Sequence, residues 1–266
     1  LSFIIVFCFY LFSLNLNFST IVSALKNSSF ENSSSNLESS IYSGFSLAYC
    51  FYFCYFDKNR LYKYFSILFV FMTFKRISII VAVFLFIISV TKLKNLVIKD
   101  NKIYNIVAIC IIFISIFFYI CMLPENVRHI EGKYNIDISK ITSTRSQRLK
   151  ELTYSDYKTY GFGSTTNYMT THGFYGNLEM DIIKMIIELG YIPVIVFVYA
   201  YLFSCKNNFY VFFFMVTRLL SLIITSSLTS SFSWVLIFIG IFAINKNNLS
   251  KEGKEYECCQ HNYTSI

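Results

Sequence analysis

The chain has 266 residues, of which 55% are hydrophobic and 20% aromatic; only 14% are charged, and the net charge is +8. An ordinary soluble domain carries about 25% charged residues, so this composition excludes that class. The continuous apolar runs exclude a transmembrane barrel, which needs alternating strands of about ten residues. The cations are scattered over short links without a basic stripe, which excludes a nucleic-acid reader.

The expected fold is all-α: a polytopic integral membrane bundle of about eight helices with one large external loop. The apolar segments lie at 1–16, 41–56, 61–74, 77–90, 103–122, 182–204, 208–226 and 232–244. A span needs about 20 apolar residues, so the shorter segments must borrow flanking residues or be sheltered by neighbours. The implied organisation is five membrane helices in 1–122, an external loop in 123–181, three helices in 182–245 and a cytoplasmic polar tail in 246–266. The sequence opens at Leu1 inside an apolar run without a basic region before it. That start does not resemble a signal peptide and reads as the C-terminal portion of a longer membrane protein. Residues 17–40 are rich in Ser and Asn, with glycosylation-type tripeptides at Asn17, Asn27 and Asn32.

Cys8, Cys50, Cys54, Cys110 and Cys121 fall in apolar runs, where thiols act as small hydrophobes. Cys50 and Cys54 share a helix face, but no His or third Cys accompanies them, so no metal is expected. Cys258 and Cys259 sit in the polar tail and are expected to be solvated.

Link charges set the expected sidedness. Lys58, Arg60 and Lys63 against Asp57, then Lys92, Lys94, Lys99 and Lys102 against Asp100, mark two cation-rich links. Lys206, Lys246 and Lys251 mark two more. Cytoplasmic links collect Lys and Arg, so 57–63, 91–102, 205–207 and the tail are expected inside. The stretches 17–40, 123–176 and 227–231 are expected outside. A single helix over 61–90 would be about 45 Å long, and both of its flanking links belong on one side. The run is therefore expected to be two helices, with Lys75 and Arg76 at their outer tip. The pair either marks a turn against lipid phosphate or forms an anion site.

The loop contains "KITSTRSQRLKEL", where Arg145 and Arg148 share a face if helical. "YGFGS" follows; Gly161 and Gly163 permit a tight turn, but no strand precedes them to suggest a dinucleotide site. His172 lies near the loop's end. In "NLEMDIIKMIIELGYIP", Asp181, Lys184 and Glu188 share one helix face and are able to form an ion-pair ladder. Glu179 lies just before it, and Gly190 with Pro193 should loosen the helix. Arg218, in the middle of an apolar segment, should face the bundle interior and pair with an acid; Glu188 is the expected partner.

These pieces in this order resemble the O-antigen ligase and O-antigen or capsular polysaccharide polymerase superfamily. The resemblance rests on "TFKRISII", "STRSQR", "YGFGS", "LEMDIIKMIIELGYIP" and the closing "SSFSWVLIFIG", spread over about 60–245. It implies the fold of C-type membrane glycosyltransferases and an undecaprenyl-diphosphate-linked glycan as substrate at the outer leaflet. It implies glycosyl transfer without metal or cofactor. The implied partners are the lipid bilayer, a chain-length regulator and a flippase. Arg76, Arg145, Arg148 and Lys75 would bind the diphosphate, because guanidinium forks suit phosphate oxygens. Glu179, His172 and Asp181 are the candidate proton acceptors. His172 is followed by Gly173, whereas ligases often have a His-Asn pair there. The acidic "LEMD" start running to a Gly looks more like the polymerases of surface polysaccharide assembly; a ligase, a lipid-linked oligosaccharide flippase and a non-enzymatic sensor or scaffold are the alternative readings.

Overall fold

The computed structural model describes residues 1–13, 40–56, 60–98, 100–142, 144–173, 178–205, 208–228 and 230–263, with backbone alone at 40 and 249–263. The three tripeptides, Asp57, Lys58, Lys99 and Lys206 lie outside the described residues, as do the side chains of Lys251, Cys258 and Cys259. Among the described residues all regular structure is helical.

The first helices are α1 (Ser2–Ser13), α2 (Ser40–Tyr55), α3 (Arg60–Met72) and α4 (Arg76–Val90). The run 61–90 is therefore broken. α3 stops where Thr73 Oγ1 donates back to the Val70 carbonyl at 2.7 Å, and Phe74 adopts φ +50°. Lys75 is the N-cap of α4. A 3-10 turn (Lys92–Asn95) leads to α5 (Asn101–Met122). The loop folds into four short helices: α6 (Pro124–Tyr134), α7 (Ile138–Ile141), α8 (Arg145–Tyr154) and α9 (Ser164–Thr171).

The segment 182–204 is two helices, α10 (Asp181–Leu189) and α11 (Tyr191–Phe203). Gly190 divides them at φ +87°, a backbone region that residues with a Cβ rarely adopt. Pro193 lies in the first turn of α11, where its missing N–H has no intrahelical partner to lose. α12 (Phe209–Ile224) and α13 (Ser231–Tyr263) complete the chain. The polar tail continues α13 as helix.

α2 lies among α3, α4 and α13, while α12 lies among α4, α5, α10 and α11. The two halves meet where Phe51 of α2 stacks on Tyr210 and Phe214 of α12, with ring centroids 5.3 and 4.2 Å away. The Tyr210 hydroxyl donates to the Phe51 carbonyl at 2.8 Å. Gly240 lets α13 close against this stack, because a Cβ there would sit 3.0 Å from the Phe51 ring. A smaller core of Met122, Leu149, Leu152, Met169, Leu178, Met180 and Ile183 secures the loop helices over the ends of α5 and α10.

The bundle has two chemically different ends. At one, Asn208 caps α12 and donates from Nδ2 to the Lys94 carbonyl at 3.4 Å. There Lys94 lies 5.2 Å over the Tyr55 ring, and the Tyr55 hydroxyl donates to Asn248 at 2.7 Å. At the other end lie the 73–75 turn, the Ser/Thr-rich link after α12 and the start of α10.

Among the described residues, α5 is the one helix long and apolar enough to cross a membrane; α1, α4, α11 and α12 are apolar but have 12 to 16 residues. Eight full-length spans are thus not seen among the described residues: the two helices of 61–90 have 13 and 15 residues, and Gly190 splits 182–204 into two. α5 presents an exposed apolar stripe of Ile106, Ile109, Phe113, Phe117 and Ile120 opposite its buried face.

Candidate functional site

α8 begins at Arg145, so Arg145 and Arg148 occupy one face of its first turn. Both reach a single acid well downstream, Glu179. Arg145 Nη2 donates to Glu179 Oε2 at 3.0 Å, and Arg148 Nη1 lies 3.9 Å from Oε1. Leu178 and Met180 are completely buried on either side, which pins the backbone and turns Glu179 outward. Its side chain is 47% exposed and those of the arginines 21%. Ion pairs this open are worth about 0–1 kcal/mol, so they contribute little to stability. What they fix is position: two guanidiniums and one carboxylate held at the surface, with Arg145 Nη1 further tied to the Thr142 carbonyl at 3.1 Å.

Asp181, two residues on, is another carboxylate that the resemblance offers as a proton acceptor. The structure gives it different work. It is 3% exposed. Its Oδ2 accepts the N–H groups of Ser227 and Leu228, each at 2.6 Å. Its Oδ1 accepts from Ser226 Oγ at 3.2 Å and lies 3.9 Å from Lys184 Nζ. A buried carboxylate with both oxygens engaged this way anchors a loop and is not presented to solvent.

Glu188 does not pair with Arg218. Its Oε2 accepts from Gly163 N–H at 2.7 Å and its Oε1 from Thr165 N–H at 2.9 Å. Those amides open α9, so Glu188 is the helix's capping carboxylate, where negative charge is favoured. Gly163 reaches the required geometry at φ +88°, and Thr159 Oγ1 donates to the Glu188 carbonyl at 2.9 Å. The "YGFGS" turn is thereby a docking point for α10. Of the expected ladder only the Asp181–Lys184 rung forms. Glu188→Ala should cost about 2–3 kcal/mol, the scale for lost hydrogen bonds to a charged group, and should free 155–172 for proteolysis. Wild-type protease resistance in that segment would refute the capping role.

His172 ends α9 in the open. Its ring stacks on Tyr168 at 4.0 Å, with Nδ1 3.0 Å from the Tyr168 carbonyl. These contacts tie it to its own helix.

Lys75 and Arg76 diverge. Arg76 is exposed, while Lys75 is 8% exposed and lines a cleft with Arg218. Arg218 is 5% exposed; its Nη2 donates to Ser227 Oγ at 3.4 Å and its guanidinium lies 5.2 Å from the Trp234 ring centroid. Trp234 Nε1 donates to the Ser227 carbonyl at 3.1 Å. Ser227 therefore joins Asp181, Arg218 and Trp234. Sequence reasoning missed it. The available signal was "TSSLTSSFSW", a hydroxyl-rich link between two apolar helices, following Thr217, Ser221 and Thr225 at four-residue spacing on α12.

The sequence-derived cations thus fall into two groups: Arg145 and Arg148 on Glu179, and Lys75 with Arg218 in the cleft. Arg76 is outside the cleft lining. No family model, curated protein or solved structure matches the chain.

Proposed function

We propose that this chain is a multi-pass helical membrane glycosyltransferase. It polymerises undecaprenyl-diphosphate-linked oligosaccharide units into O-antigen or capsular polysaccharide at the outer face of the cytoplasmic membrane. The observation that carries the reading is the convergence of Arg145 and Arg148 on Glu179: a fixed pair of guanidiniums next to a half-exposed carboxylate. In this reading an acceptor sugar hydroxyl attacks the anomeric carbon of the donor. The bond from that carbon to the lipid diphosphate oxygen breaks, and the electron pair leaves with the diphosphate. Arg145 and Arg148 stabilise the charge that grows there, which is the largest single contribution in many enzymes. Glu179 accepts the hydroxyl proton.

Support for the membrane setting comes from the apolar exterior. Contiguous exposed apolar patches beyond a few hundred Å² mark interaction or membrane surfaces, and α3, α4, α5 and α11 all expose large apolar side chains. The two-ended bundle suits the charge rule as well: Lys94 and the start of the tail meet at one end, and the loop helices lie at the other.

The test is a deletion strain of the producing cell. The expected result is single repeat units on the lipid carrier at the outer face, with long chains restored by the intact gene. Units trapped inside would identify a flippase, and full-length polymer still free of its final acceptor would identify a ligase. Either result, or unchanged polysaccharide, overturns the polymerase reading.

A further inference from the structure

The cleft between α2, α4 and α12 has no part in the reaction proposed above, and its chemistry is distinctive. It is a small recess walled by these three helices and by the link after α12. Lys75 and Arg218, both more than nine-tenths buried, line it together with Ser43, Ser78, Thr217 and Ser227. Leu47 and Val81 supply apolar wall.

Three observations say what such a cleft holds. First, Arg218 Nε is buried and has no acceptor in the protein, and its Nη2 makes a long bond to Ser227 Oγ. A guanidinium has five donors and no acceptor capacity, and a buried cation is expensive unless it is paired and hydrogen-bonded. Second, the acid whose field reaches Arg218 is Asp181, and its two oxygens are engaged by Ser226, Ser227, Leu228 and Lys184. Third, α4 starts at this wall. Lys75 is its N-cap without a side-chain capping bond, and Ile77 and Ser78 of its first turn line the cleft. Helix N-termini carry partial positive charge and outward-pointing amides, an arrangement that favours anions.

We propose that this cleft is a phosphate-binding site. Arg218 presents its guanidinium edge to the phosphate oxygens, Lys75 contributes a second charge, and the Ser78 and Ser227 hydroxyls donate to the remaining oxygens. The phosphate group belongs either to a lipid headgroup or to free inorganic phosphate. The inference rests on the cleft alone. It stands or falls independently of glycosyl transfer, because binding is read without turnover.

The experiment uses the full chain purified into nanodiscs. One arm measures equilibrium binding of radiolabelled inorganic phosphate to protein in phosphatidylcholine discs. The other uses native mass spectrometry to compare retention of phosphatidic acid with that of phosphatidylcholine. Binding in the first arm assigns free phosphate; selective retention in the second alone assigns a lipid headgroup. Arg218→Gln and Lys75→Met should each weaken the observed binding at least tenfold. Thr217→Leu keeps both charges and adds bulk to the cleft at a partly exposed position. It should weaken binding as much, which guards against misfolding of the Arg218 variant. Lys140→Gln, on the surface and outside both the cleft and the Arg145–Arg148 site, should bind as wild type. Absence of binding in both arms, or wild-type binding by Arg218→Gln and Thr217→Leu, overturns the proposal.

Discussion

Asp181→Ala should cost about 3–5 kcal/mol, the scale for removing one partner from a buried charged network. Domains are stable by only about 5–15 kcal/mol, so little folded protein should be recovered. The loss has three sources. The N–H groups of Ser227 and Leu228 are uncovered in a buried joint, Ser226 loses its acceptor, and Lys184 loses its counter-charge. Asp181→Asn keeps the shape and one acceptor oxygen and should fall between the two. Size-exclusion recovery and denaturant unfolding in detergent make the measurement. An Ala variant within 1 kcal/mol of wild type (roughly the error of such extrapolations) would return Asp181 to the list of proton acceptors.

Arg145→Ala should leave folding almost untouched and remove the product. The ion pair it breaks is half-exposed and worth about 0–1 kcal/mol. Loss of one donor to a developing oxyanion costs about 10²–10³ in rate. Long-chain polysaccharide should therefore disappear while membrane insertion and thermal unfolding stay near wild type. Arg145→Lys should recover only part of the activity, since a point charge lacks the planar fork. Chains of normal length in the Ala variant would remove Arg145 from the reaction and, with it, the main support for the assignment.

The parts of this molecule that follow from local rules were readable in the sequence. Two cation-rich links flanking thirty apolar residues require a break near Lys75, and the chain turns there. Arg145 and Arg148, three apart, share a helix face, and that helix exists. Gly190 interrupts the apolar segment after 181, though as a complete break rather than a kink. The pairings between distant segments were not readable. Glu188 and Arg218 looked like natural partners because both are charges among apolar residues on nearby helices. A carboxylate, however, is satisfied equally well by two backbone amides, and amides leave no mark in a sequence. Gly163 and Thr165 provide them. Lys75 and Arg76 look equivalent as neighbours in the chain, but the first turn of α4 sends one inward and the other out. Ser227 carries no charge and matches no motif; its importance comes from Asp181, Arg218 and Trp234 converging on it.

α10 has a mechanical consequence. It bears a buried carboxylate near each end: Asp181 grips the joint between α12 and α13, and Glu188 grips the start of α9. They are seven positions apart, about 10 Å along a helix axis, and most side chains between them are buried. The segment is a tie rod clamped at both ends. Displacement of α9 must either drag the joint at Ser227 with it or tear a charge-assisted hydrogen bond. A load on α9 would thus be felt as strain at the seat of Arg218, on the far side of the rod.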